Sequence, residues 1–174
     1  MIVALLVIDV QVGLIKGAYR EESVVRNINT IIARMREAGG LVIFIQHCHD
    51  KYRPMMKGEP GWPIDPRLDQ VDEDWVVEKT ASDAFYQTNL NAVLQENGIT
   101  TIVVTGLQTE YCVDTTCRRA LSHGYEVVLI SDAHATGDYE QGTDLVIDHH
   151  NMVLTSLAHP HHQIKLCSTE AFQP

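Results

Sequence analysis

The chain has 174 residues, 45 % of them hydrophobic, and 13 Lys plus Arg against 23 Asp plus Glu give a formal charge of −10. That is material for one domain, spanning 1–174, with a sizeable core. An acidic surface argues against sequence-independent binding of nucleic acid or an anionic membrane. Four cysteines without a secretory leader point to a reducing compartment, the cytoplasm, with thiols rather than disulfides.

The opening "MIVALLVIDVQ" is apolar but lacks a basic leader region, and Asp9 interrupts it too early for a membrane span. It reads as a buried strand over 2–8. "EESVVRNINTIIARMREAGG" sets Val24, Val25, Ile28, Ile31, Ile32 and Met35 on one helical stripe that stops at Gly39-Gly40. "LVIFIQ" (41–46) is a second strand. Region 47–74 holds four of the six prolines and no period, so it reads as a long loop, functional or mobile. "WVVEK" (75–79) is a third strand, and "TNLNAVLQENG" (88–98) a helix ending at Gly98. "TTIVVTG" (100–106), the helix "TTCRRALSHG" ending at Gly124, and "YEVVLIS" (125–131) follow. "TDLVIDHHNMVLTSLAH" carries the last helical stripe and "HQIKLCS" (162–168) the final strand.

The strands are near-continuously apolar, as strands buried on both faces of a parallel sheet should be. Alternation with helices predicts an α/β fold: a three-layer αβα arrangement on a six-stranded parallel sheet, Rossmann-like in kind. Ligands of such sheets bind outside the carboxyl ends of the strands. The residues there are Asp9, then Gln46 and His47, Lys79, Gly106 to Cys112, and Asp132. An acid, a cation and a thiol therefore converge from separate strands.

In "GLQTEYCVDTTCRRA" a helix starting near Thr109 or Glu110 would place Cys112 in its first turn, where free N–H groups favour an anion. A free thiol has a pKa of about 8.5, and a helix terminus plus one ammonium can lower it by roughly two or three units. Lys79 is the candidate cation. Asp9 has two readings: a partner for Lys79 or a backbone turn, or a base that takes the thiol proton.

"LLVIDVQ", "VEKTASDAF" and "GLQTEYCVDTTCRRA" resemble the three signatures of the isochorismatase-like cysteine hydrolases, which include nicotinamidases and N-carbamoylsarcosine amidase. The resemblance runs from about residue 2 to about residue 136. It implies an Asp9–Lys79–Cys112 triad that cleaves a small amide or ureide-type C–N bond through a thioester on Cys112, without a cofactor. It also implies a cis peptide at Leu107–Gln108 and an oxyanion hole from the Gln108 and Cys112 N–H groups. A homo-oligomer, dimer or tetramer, acting on a small molecule is implied as well.

Two departures narrow the match. Family members that cleave the isochorismate vinyl ether lack this cysteine. Nicotinamidases carry an Asp-x-His…His metal pattern after the second strand, whereas "QHCHDKYRP" offers His47, His49 and Asp50 in another order. No metal is assigned, and His47 reads as pocket lining, together with Gln11; Trp62, Phe85 and Tyr111 are assigned to the pocket wall with the core as the alternative for each. Tyr86 is pocket wall or core. Cys117 lies five residues after Cys112 and reads as packing, Cys48 as a loop thiol with no base beside it. Asp132 reads as a turn cap or a structural support for the site, and the histidines of "AHPHHQ" as a solvated turn. The rival readings are a metal-assisted nicotinamidase and a non-catalytic thiol-sensing or binding protein on the same fold. Metal dependence would mark the first; function that survives Asp9→Asn would mark the second.

Overall fold

A computed structural model describes residues 2–139 and 142–174. Its strands are β1 (Val3–Ile8), β2 (Leu41–His47), β3 (Trp75–Lys79), β4 (Thr101–Leu107), β5 (Glu126–Ala135) and β6 (Ile164–Cys167). They form one six-stranded sheet in the order β3-β2-β1-β4-β5-β6, every pairing parallel. The order runs one way from β1 to β3 and the other way from β4 to β6. The strands therefore diverge between β1 and β4, a crevice at their carboxyl ends where ligands are bound in open α/β sheets.

The helices are α1 (Val12–Ile15), α2 (Glu21–Glu37), α3 (Leu90–Glu96), α4 (Asp114–Ser122) and α5 (Thr143–Thr155). Side chains of β1 alternate between two cores. Val3, Leu5 and Val7 pack with the α2 stripe from Val24 to Met35, while Ala4, Leu6 and Ile8 pack with Leu90 and Leu94 of α3 and Cys117 and Ala120 of α4. Burial on both faces is why the central strands are apolar throughout. The edge strand β3 shows the exception, with Trp75 and Val76 exposed.

Three local features depart from the sequence reading. β5 runs on to Ala135 across a register shift opposite Val104 and Gly106, so Asp132 lies inside the strand. Its carboxylate accepts hydrogen bonds from the Thr169 N–H and hydroxyl, tying down the C-terminal segment. A π-helical turn (Thr109–Val113) precedes α4. The segment 47–74 is anchored: Val12 donates to Pro63 O at 3.0 Å, Gly13 to Gly61 O at 2.8 Å, and Asp65 to Val10 O at 2.9 Å. A 3-10 turn (Arg53–Met55) puts Met55 into the interior.

Candidate active site

Asp9 follows β1 with φ of 52°, a left-handed conformation that Asp tolerates better than most residues. Gly106 makes room for the Ile8 backbone just before Asp9. A Cβ on that glycine, whose φ is 112°, would overlap the Ile8 backbone. Beyond Gly106 the Leu107–Gln108 peptide is cis, as the resemblance implied. The π turn then carries Cys112 back over the end of β1.

Lys79, the last residue of β3, reaches the same point. Its Nζ lies 2.7 Å from Asp9 Oδ2, 2.8 Å from His47 Nδ1, 3.0 Å from Ala81 O and 3.2 Å from Cys112 Sγ. Both charged side chains are fully buried. Asp9 Oδ1 has no hydrogen-bond partner among the described residues. An unpaired carboxylate oxygen in such surroundings is a ready proton acceptor.

The expected lowering of the thiol pKa does not occur. Burial, and then the Asp9 carboxylate, push the Cys112 thiol up to about 12, with Lys79 offsetting only part. The terminus that was to favour a thiolate is a desolvated turn beside an anion. The resting sulfur is a thiol. Cys117 is fully buried, its thiol pushed up by the same desolvation.

Of the residues expected to line the pocket, His47 and Tyr111 border a cavity of about 290 Å³ together with Asp9, Gln108 and Cys112. Its remaining wall is Leu14, Met55 and Tyr52, with Ser82 and His49. Three expected lining residues face elsewhere. The Gln11 amide is a brace, donating to His47 O and Trp62 O and accepting from the His47 N–H at 2.8 Å. The Trp62 indole donates to Cys48 Sγ at 3.3 Å, with Lys57 over its ring. Phe85 stacks on His123 at 4.7 Å and on Tyr125, inside the core. Tyr86 is exposed. Sequence reasoning missed Tyr52 and Met55, because no local pattern in the long loop announces its fold, and also Leu14 of α1 and Ser82 after β3. A larger cavity of about 470 Å³, between α2, β5 and α5, contains no thiol.

His47, His49 and Asp50 do not assemble a metal site. His49 Nδ1 accepts from the Lys51 and Tyr52 N–H groups, and Asp50 is exposed. Ligand atoms of Asp9, His47 and Cys112 lie within 4.8 Å of one another. The Lys79 ammonium, however, already sits against all three, and a divalent cation there would meet a like charge. The four cysteines are free, with Cys112 and Cys117 buried. No helix among the described residues is long and apolar enough to cross a membrane.

The family model for the isochorismatase domain matches residues 3–160. The chain is 37 % identical over 162 residues to the uncharacterized isochorismatase family protein YrdC of Bacillus subtilis (strain 168), covering 88 % of this chain and 86 % of that protein. It is 37 % identical over 145 residues to a streptothricin hydrolase of Streptomyces noursei, covering 82 % of this chain but only 52 % of that one. A crystal structure of an isochorismatase family protein superposes with a TM-score of 0.84 at 32 % identity, covering 95 % of this chain and 98 % of that one.

Proposed function

Because this chain belongs to the isochorismatase family of hydrolases, we propose that it hydrolyses a small amide or ureide-type C–N bond with Cys112 as nucleophile. The observation that carries this is the meeting of Asp9, Lys79 and Cys112 at one buried point beside a small cavity. Asp9 takes the thiol proton on its unpartnered oxygen. Loss of the carboxylate charge removes one of the two causes that hold the thiol up, and the Lys79 N–H turns to the sulfur. The proton moves within the site, so its net charge is unchanged.

The thiolate attacks the carbonyl carbon, and the oxyanion is received by the Gln108 and Cys112 N–H groups. Removing one such donor typically costs about 10²–10³ in turnover. Asp9 returns the proton to the leaving amine, and water, activated by the same carboxylate, hydrolyses the thioester. A metal-assisted reaction finds no support in a cluster centred on an ammonium. The same reading has a homo-oligomer in the cytoplasm acting on small molecules. The relative named streptothricin hydrolase, matched over 52 % of its length, supports a hydrolytic reading.

The test is a screen of small amides for ammonia release, with Cys112→Ala as the blank. At least one amide should be turned over by the native chain and by that variant at no more than about 10⁻⁴ of the rate. Equal turnover by both proteins would remove Cys112 from the chemistry.

A further inference from the structure

Among the described residues that border the site cavity, Asp9 is the one with a formal charge. Its counter-ion Lys79 lies behind it, with no side-chain surface exposed and every N–H directed at Asp9, His47, Ala81 or Cys112. The two histidines of the wall have their Nδ1 atoms engaged. His47 Nδ1 lies 2.8 Å from Lys79 Nζ, placed to receive its N–H, and its Nε2 bonds no described residue. His49 Nδ1 is likewise an acceptor, for two backbone N–H groups, and protonating it would forfeit both. Of the cations on the long loop, Arg53 pairs with Glu59, Lys57 with Glu78 and Arg67 with Asp65, Glu21 and Glu22, and Lys51 does not border the cavity. Glu110, two residues before Cys112, has its carboxylate held by the Thr136 and Tyr139 hydroxyls and does not border the cavity either.

A substrate carboxylate in this cavity would lose its water, find no counter-ion and face Asp9. A neutral amide loses nothing comparable and gains the two imidazole N–H donors. We propose that the site accepts uncharged or cationic acyl groups and excludes amides that carry a carboxylate. The inference rests on the reading of Cys112 as the nucleophile.

Two alkylating reagents of nearly the same size test it on the intact full-length protein. Neutral iodoacetamide and anionic iodoacetate each form a C–S bond to Cys112 and release iodide. Each rate is divided by that of free cysteine under the same conditions, which cancels intrinsic reactivity, and mass mapping assigns the site. The cavity should favour iodoacetamide by about 100-fold after that correction, the selectivity expected when one carboxylate loses its water and finds no counter-ion. Tyr111→Arg, which puts a guanidinium on the half-exposed wall residue, should narrow the preference at least tenfold. A corrected rate for iodoacetate equal to or above that for iodoacetamide overturns the charge selectivity while leaving the nucleophile in place. Labelling that falls on Cys48 with both reagents and never on Cys112 overturns the nucleophile reading, and this proposal with it.

Discussion

Lys79 offers three N–H donors to four acceptors, and its resting choice differs from the one a reacting site needs. His47 Nδ1, at 2.8 Å, is nearer than Cys112 Sγ at 3.2 Å and is the better acceptor while the sulfur keeps its proton. Once the sulfur is a thiolate the order reverses. The thiol is held up to about 12 by burial and by Asp9. Alkylation of Cys112 in the native chain should therefore be slow near neutral pH and climb steadily as pH rises toward about 12. Asp9→Asn removes the carboxylate charge but keeps the shape. Its alkylation curve should move to lower pH, while ammonia release falls by about 10²–10⁴, the worth of a positioned base. A variant whose alkylation and hydrolysis both survive unchanged would make Asp9 only a structural partner of Lys79. Both directions can be read from one set of stopped-time mass spectra and a coupled ammonia assay.

Between elements, one buried histidine ties the π turn that carries Cys112 to β5 and α5. His134 of β5 bonds Thr109 Oγ1 of the turn at 2.9 Å and Asn151 Oδ1 of α5 at 2.9 Å. Burial lowers its pKa from 6.5 to about 4, so the folded chain holds it neutral. A histidine with a depressed folded pKa contributes stability above its ordinary value, lost as pH falls from about 6.5 to about 4. Urea unfolding should lose about 2 kcal/mol between pH 7 and pH 5 from this residue, and His134→Gln should flatten that part of the profile. An unchanged slope in the variant would assign the acid sensitivity to other groups.

The strands and the long helices were legible in the sequence because burial writes an apolar run or a stripe. The meeting of Asp9, Lys79 and Cys112 was legible because each ends a strand or follows one. The directions of Gln11, Trp62 and Phe85 were not, since each is set by a partner far along the chain: the His47 backbone, Cys48, and His123 with Tyr125. The raised thiol was equally hidden, because desolvation depends on packing around the turn and not on its position in a helix.

For the whole molecule, the carboxyl ends of four adjacent strands, β3, β2, β1 and β4, supply the site, and the two outer strands β5 and β6 brace it from one side. On the surface, α5 leaves Leu145 and Met152 exposed at 73 % and 59 %, seven residues apart on one helical face and thus suited to a contact between copies. Light scattering should report a dimer or larger assembly. Leu145→Lys with Met152→Lys should shift it toward monomer, whereas a native chain that is monomeric at assay concentration would leave that face unpartnered.

The bracing of the 47–74 segment has a kinetic meaning. Backbone bonds to Val10, Val12 and Gly13, together with the Gln11 amide, hold this long connection to the stretch that follows β1 at several points. A connection so fastened is a wall and not a door. Passage into and out of the cavity then falls to side-chain rotation at its rim, where Tyr52 and Tyr111 are about half exposed, on picoseconds to nanoseconds. Many enzymes spend their turnover time waiting for a loop to open on microseconds to milliseconds. On the proposed reading of Cys112 as nucleophile, bond-making at sulfur rather than loop opening is then expected to limit turnover.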